Sequence, residues 1–242
     1  METSKIKDIS DSIEVRKIKM QFWREEVEKV LDGKESPHPL SQGLQFCAQN
    51  IPSFKKYWII KMLNAKEKDL TLNSYFSLNS IEEYSESTIG SLFYLLLDIS
   101  GCKNVQLDHC FSHISKGIGI TTFLRSAIAL IPKKQINLPV EVFARHGVLE
   151  EDFLSFKNSV NLQDAVFEIA SAANNHFKLA SKESKSIEKF PKTLSFLALP
   201  SIKYLQRLEK LDCNLFDPKS KTPFWNLSFI LYYHYFFNKT PF

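Results

Sequence analysis

Apolar residues recur at three- and four-residue spacing along nearly the whole chain, and runs of alternating polar and apolar residues long enough for a strand are scarce. That pattern leaves an all-α fold as the one architecture compatible with the sequence. Breakers are also few. Gly (7) and Pro (10) supply 17 of 242 residues, too few for the tight turns of an all-β domain. Hydrophobic residues make up 44% of the chain, with 20 phenylalanines, so a large aromatic core is expected. The expected architecture is a single-domain helical bundle over residues 1–242, of about ten helices packed around a common centre.

The clearest stripe is Leu162, Val166, Ile169, Ala170, Ala173, Phe177 and Ala180, with Asn161 as the expected cap. Ile18, Phe22, Trp23, Val27, Val30 and Leu31 mark another helix, stopped by Gly33. Ser80 and Glu83 have the S-x-x-E form of a capping box, which would open a helix running to Gly101. A long helix is expected over about Leu107 to Ile131 and a short one from Pro139 to Arg145, with Gly147 past its end. Phe224 to Phe237 is fourteen uncharged residues, eight of them aromatic. Its simplest role is a last helix packed on the core through Phe229, Tyr232, Tyr233 and Phe236. Trp225, Tyr235 and Phe237 fall off that stripe and suit a membrane interface instead.

The net charge is 31 − 27 = +4, too mild for a nucleic-acid partner, which needs a clustered basic face. The four cysteines, Cys47, Cys102, Cys110 and Cys213, form no C-x-x-C, and they read as reduced thiols. No uncharged apolar run reaches the length of a membrane span. Positions 1–12 have no hydrophobic stretch, and Glu2, Asp8 and Asp11 make them too acidic for a mitochondrial presequence.

Candidate chemistry is sparse. Gly117-Ile118-Gly119 is the only G-x-G, but it lies inside a helical pattern with Thr122 in place of a third glycine. Asp108, His109, Cys110 and His113 cluster, and the two histidines are spaced for one helix face. They lack the Glu of H-E-x-x-H and a third ligand, so two polar histidines are the simpler reading. No G-x-S-x-G is present, and neither Cys47 nor Cys102 has a histidine nearby in sequence. Paired carboxylates one turn apart can hold magnesium against a diphosphate. Asp8 with Asp11, Glu82 with Glu83 and Glu86, and Glu150 with Glu151 and Asp152 have that form. The last two sets are explained by helix starts, where carboxylates favour the macrodipole. No catalytic, cofactor-binding or metal-binding residue is therefore assigned.

Taken in order, a longer set of residues resembles the squalene/phytoene synthase family. Phe22-Trp23-Arg24 resembles its W-R segment, Lys68-Asp69-Leu70 the end of its G-M-x-x-D-L helix, and Tyr84 to Gly90 its Y-C-x-x-V-A-G stretch. Leu124-Arg125, Ile136-Asn137-Leu138-Pro139, Gly147 and Glu151-Asp152-Phe153 follow in the family's order. The resemblance implies the isoprenoid-synthase fold and two facing aspartate-rich motifs that bind magnesium to ionise prenyl diphosphates. Against the second motif, Q-L-T-N-I-L-R-D-x-x-E-D, this chain has Gly119 for Gln, Thr122 for Asn, Ser126 for Asp, and Ala129 and Leu130 for the acidic pair. The first motif would fall where only Asp8 and Asp11 stand, and the family's preceding helix is expected to be missing. Phe93 replaces a family glycine, and its ring is expected to fill space for a prenyl tail.

Lys19 to Trp23, Glu67 to Leu70, Asp108-His109, Ser112-His113-Ile114, Lys116 and His146-Gly147-Val148 are similar to a synthase-like branch without known prenyl transfer. That resemblance implies a protein on the matrix side of the mitochondrial inner membrane, with no cofactor, acting in the assembly of respiratory complex I. Its expected partners are complex I subunits or other assembly factors, with peripheral membrane contact. A lipid or isoprenoid binding protein is the alternative, and after it an active head-to-head prenyl transferase.

Overall fold

The computed structural model describes residues 6, 12–72, 74–102, 104–237 and 239–242, and among them every regular element is helical. The chain divides into two compact units: Met1–Leu72 with Ser91–Lys103, and Asn73–Gly90 with Asn104–Phe242.

The first unit begins with α1 (Ile13–Leu31). Ser12 caps it by accepting from the Val15 amide, and Gly33 ends it at φ +83°. Helices α2 (Pro39–Asn50) and α3 (Lys56–Asp69) pack against α1. Ile6, Met20, Ile59, Leu63, Leu70 and Leu95 form the core. The register of α1 differs from the expected stripe. Met20, Trp23, Val27 and Val30 face inward, while Ile18 and Phe22 are 69% and 50% exposed. The helix has two apolar edges, and its packing partners cover only the one that holds Met20. A buried carboxylate also orders this unit: Asp98 accepts from Lys55 Nζ and from Trp58 Nε1, each at 2.9 Å.

Helix α4 (Leu78–Ser85) is followed by a π turn (Glu86–Gly90) and by α5 (Ser91–Ile99), and the division between the units falls at Gly90–Ser91. The capping box of α4 is Ser77 with Ser80, not Ser80 with Glu83. The Ser77 hydroxyl accepts from the Ser80 amide at 3.1 Å, and the Ser77 amide donates to Ser80 Oγ at 3.2 Å. The helix starts earlier because Glu141 takes the Leu78 amide at 2.9 Å and Tyr75 and Phe76 pair by backbone with Val140 and Glu141. Phe93 on α5 is buried.

The second unit is built on α6 (Val105–Leu130), capped by Asn104. The longer stretch Val105–Lys133 is long and apolar enough to cross a membrane, although charged residues interrupt it. More than half of its most apolar window is buried, because α4 packs on one side and α9 (Val160–Ser184) on another. Gly117 and Gly119 explain how closely. A Cβ on Gly117 would stand 2.8 Å from the Phe177 ring of α9, and one on Gly119 would stand 1.8 Å from Ser85 Oγ of α4. These glycines permit helix contact and cradle no phosphate. Of the expected α9 stripe, Leu162, Val166, Ile169, Ala173, Phe177 and Ala180 are all 2% exposed or less, and Ala170 is half-buried at its edge. Its cap is Ser159, two residues before Asn161.

Between these lie α7 (Val140–Arg145), with Gly147 at φ +66° behind it, and α8 (Glu150–Leu154). The chain ends with α10 (Lys192–Ser195), α11 (Leu199–Glu209) and α12 (Leu227–Phe236). The expected packing of α12 on the core does not occur. None of its residues is buried, and Phe229, Tyr232, Tyr233 and Phe236 are all exposed. Spacing alone could not separate a buried stripe from this one, because α12 is apolar on every side.

Candidate functional site

Helix α6 carries the positions that match the family's second acidic motif. Thr122 Oγ1 donates to the Ile118 carbonyl at 2.8 Å. Ser126 Oγ donates to the Phe123 carbonyl at 3.1 Å and accepts from Asn137 Nδ2 at 2.7 Å. Ala129 and Leu130 offer no donor atom. A magnesium ion requires oxygen ligands, normally including one or two carboxylates. These positions present hydroxyls already engaged with backbone carbonyls, and no carboxylate. The residues do not fit the metal, and no reaction step follows from them. Asp8 and Asp11 lie outside the described residues.

The same face of α6 opens on a pocket of about 730 Å³, whose walls include Arg125, Ser126, Tyr204, Lys221, Phe224 and Leu227. Among the described residues, no carboxylate lines it. Burial pushes the Tyr204 hydroxyl up to about 12, and Arg125, with its guanidinium 5.8 Å from the ring centre, opposes that shift.

A second polar group lies where α4, α6 and α9 meet. His113 Nδ1 and His176 Nδ1 are 2.9 Å apart. His176 Nε2 is 3.2 Å from Glu82 Oε1, and His113 Nε2 is 3.8 Å from Glu183 Oε1. Lys116 Nζ is 3.2 Å from Glu86 Oε2, which also accepts from Ser112 Oγ at 2.9 Å. The hydrogen bond from His176 holds the Glu82 carboxyl below its usual range, helped by the charges of Lys116 and His113. Burial lowers His113, against the pull of Glu183. Burial also raises the Cys110 thiol to about 12, and Cys110 Sγ lies 3.4 Å from the Ala180 carbonyl. The thiol is therefore protonated and unreactive at neutral pH.

The structure thus separates the residues grouped by sequence. His113 pairs with His176 on another helix, while His109 is exposed. Glu82 and Glu86 are not at a helix start. They sit in the last turn of α4 and in the π turn, where His176 and Lys116 balance them. Glu150, Glu151 and Asp152 do occupy the first turn of α8, as the macrodipole reading holds. Sequence reasoning missed His176, Lys116 and Glu183. The available signal was a pair of matching polar stripes, Glu82 and Glu86 against Ser112, His113 and Lys116. Among the described residues, no group of three or more His, Cys, Asp or Glu side chains is arranged to hold a metal.

Two solved structures share the fold. A squalene synthase, HpnC, from Alicyclobacillus acidocaldarius aligns over 88% of this chain and 80% of its own, with a TM-score of 0.76 at 13% identity. A dehydrosqualene synthase in complex with ligand aligns over 98% and 83%, with a TM-score of 0.78 at 18% identity. Among sequences, the mouse protein named NADH dehydrogenase (ubiquinone) complex I, assembly factor 6 is 34% identical over 220 residues, 90% of this chain and 65% of its own length. The human protein of that name is 31% identical over the same span and shares. A Dictyostelium discoideum homolog is 30% identical over 211 residues, 85% of this chain and 58% of its own. The chain thus spans slightly less than two thirds of the length of these mammalian relatives. The family model described as squalene/phytoene synthase matches residues 1–226, and the chain belongs to the squalene/phytoene synthase family.

Proposed function

We propose that this chain is a non-catalytic assembly factor for mitochondrial respiratory complex I, built on a prenyl-synthase fold. One observation carries the non-catalytic part. At the second-motif positions Ser126 is tied to Asn137 and the Phe123 carbonyl, and Ala129 and Leu130 supply no ligand. Departure of diphosphate needs its charge neutralised, and a second motif without carboxylates cannot hold its share of the cations that do so. The named relatives support the assembly role, with complex I subunits or other assembly factors as partners. The protein acts on the matrix side of the inner membrane, in peripheral contact with it. The exposed aromatic residues of 224–237 favour that contact.

Two experiments test this reading. Purified protein with magnesium and farnesyl or geranylgeranyl diphosphate should release no pyrophosphate above a protein-free control, and turnover would reject the non-catalytic role. Expression with a mitochondrial leader in mouse cells lacking assembly factor 6 should restore assembled complex I on native gels. Unchanged complex I, with the protein present in the matrix, would reject the assembly role.

A further inference from the structure

The end of the chain combines three features. The first is exposed aromatic surface: Trp225 is 84% exposed, Phe229 72% and Tyr235 68%. The rings stack on one another rather than on a core, with Tyr232 and Phe236 at 5.8 Å and Tyr233 and Phe237 at 4.8 Å between centroids. The second is charge of one sign. Positions 218–242 contain Lys219, Lys221 and Lys239 and no acidic residue. The third is the pocket of about 730 Å³ that Phe224 and Leu227 share with Arg125 and Lys221. Neither cation has a carboxylate partner among the described residues. Arg207 fixes the pocket's outer wall, its guanidinium 3.6 Å from the Phe224 ring centre and bonded to the Lys219 and Thr222 carbonyls.

We propose that this surface docks on an anionic phospholipid bilayer, with α12 lying in the interface and a lipid phosphate entering the pocket between Arg125 and Lys221. The proposal rests on the peripheral membrane contact argued above and adds to it a headgroup class and a site. Charge complementarity selects the occupant. An all-cationic rim beside uncharged rings matches anionic headgroups over acyl chains. Tyrosine, tryptophan and lysine together are the residues of a bilayer interface, whereas lysine is depleted from protein–protein interfaces. Ten residues of helix span about 15 Å, half of a hydrocarbon core of about 30 Å, so α12 lies on the bilayer rather than across it. The labour divides accordingly: the rings give affinity for any bilayer, and the cations give preference for negative charge.

Co-sedimentation of the full chain with vesicles tests this. The vesicles are phosphatidylcholine alone, or phosphatidylcholine with cardiolipin. The parent should bind the cardiolipin vesicles more tightly, and salt should weaken that binding. A basic residue near such a surface is worth about fivefold in affinity, so the Arg125→Gln, Lys221→Gln variant should bind cardiolipin vesicles at least about tenfold more weakly. Its binding to phosphatidylcholine alone, whose choline offsets the phosphate charge, should fall by much less. Trp225→Ser, Tyr235→Ser, Phe237→Ser should lose binding to both. All these positions are exposed, and melting curves identical to the parent's show that each variant is folded.

If the Arg125, Lys221 variant retains full affinity for cardiolipin vesicles, the headgroup site is wrong, although peripheral contact stands. If the parent sediments with neither vesicle, both fail, while the complex I experiment still decides the assembly role. If inorganic phosphate raises the melting temperature but cardiolipin vesicles do not compete with it, the pocket takes a free anion and the proposal is overturned.

Discussion

The Nδ1 atoms of His113 and His176 face each other at 2.9 Å across α6 and α9, so one ring must donate to the other, and a proton on both Nδ1 atoms at once would set two donors in opposition. The groups facing His113 are Glu183, His176, Lys116 and His109, and burial is the largest influence on it. Its folded value lies below the usual 6.5, so the unfolded chain takes up this proton more readily. The resulting stability is complete above 6.5 and is lost as pH falls through and below that value. Glu82 is also held below its usual 4.5, so its contribution persists above 4.5 and is lost under more acidic conditions. Melting temperature should therefore fall in two steps on acidification. In His113→Gln the upper step should shrink by more than half, and an unchanged upper step would assign it to another group.

Gly119→Ala tests the contact between α6 and α4. The added methyl would stand 1.8 Å from Ser85 Oγ and 2.3 Å from Ser85 Cβ, so the helices must separate. Overpacking of this kind costs about 1–3 kcal/mol or more. Adding Ser85→Gly removes both close atoms and should recover part of the loss, despite about 1 kcal/mol of glycine penalty in a helix. Thermal melts of the two single variants and the double complete the cycle.

Asp98 organises the first unit by holding Lys55 and Trp58. Asp98→Ala strands the indole N–H and should cost about 2–4 kcal/mol in urea titration. Asp98→Asn keeps an acceptor for the indole and should cost less than half as much. Equal losses would mean that the charge on Lys55, rather than the indole bond, dominates.

Ile169 has no exposed surface. Ile169→Asp would bury an unpaired carboxylate, at a cost of several kcal/mol that is comparable to the whole stability of a domain. The variant should be insoluble or lack a cooperative melt, whereas Ala170→Asp, half-buried one residue away, should fold.

What was legible in the sequence follows from where the physics is local. The α9 stripe was legible because its apolar residues recur at three- and four-residue spacing over about five turns, although Val160, Phe167 and Leu179 lie off it and are exposed. The Ser77–Ser80 box was not, because the Glu141 carboxylate that helps fix the start of α4 is 63 residues away from Leu78. His109 and His113 share a helix face in any helix drawing, yet the partner of His113 comes from α9, a pairing that only tertiary packing creates. The α12 register failed for a different reason: a helix apolar all round has no periodicity to read. The family motifs, by contrast, carried the fold across most of the chain, because their order and spacing follow how the helices succeed one another.

The close approach at Gly119 also bears on descent. In the family pattern this position is the Gln of the second motif, and here the neighbouring helix occupies the volume where any side chain would begin. Placing the pattern's carboxylates at Ser126, Ala129 and Leu130 would restore charge without restoring that Gln. Reinstating Gln at Gly119 would first require Ser85 to move. A carboxylate at Ser126 or Ala129 would enter an open pocket wall, whereas any side chain at Gly119 meets a closed helix contact. At that one position the return is barred by packing and not by charge.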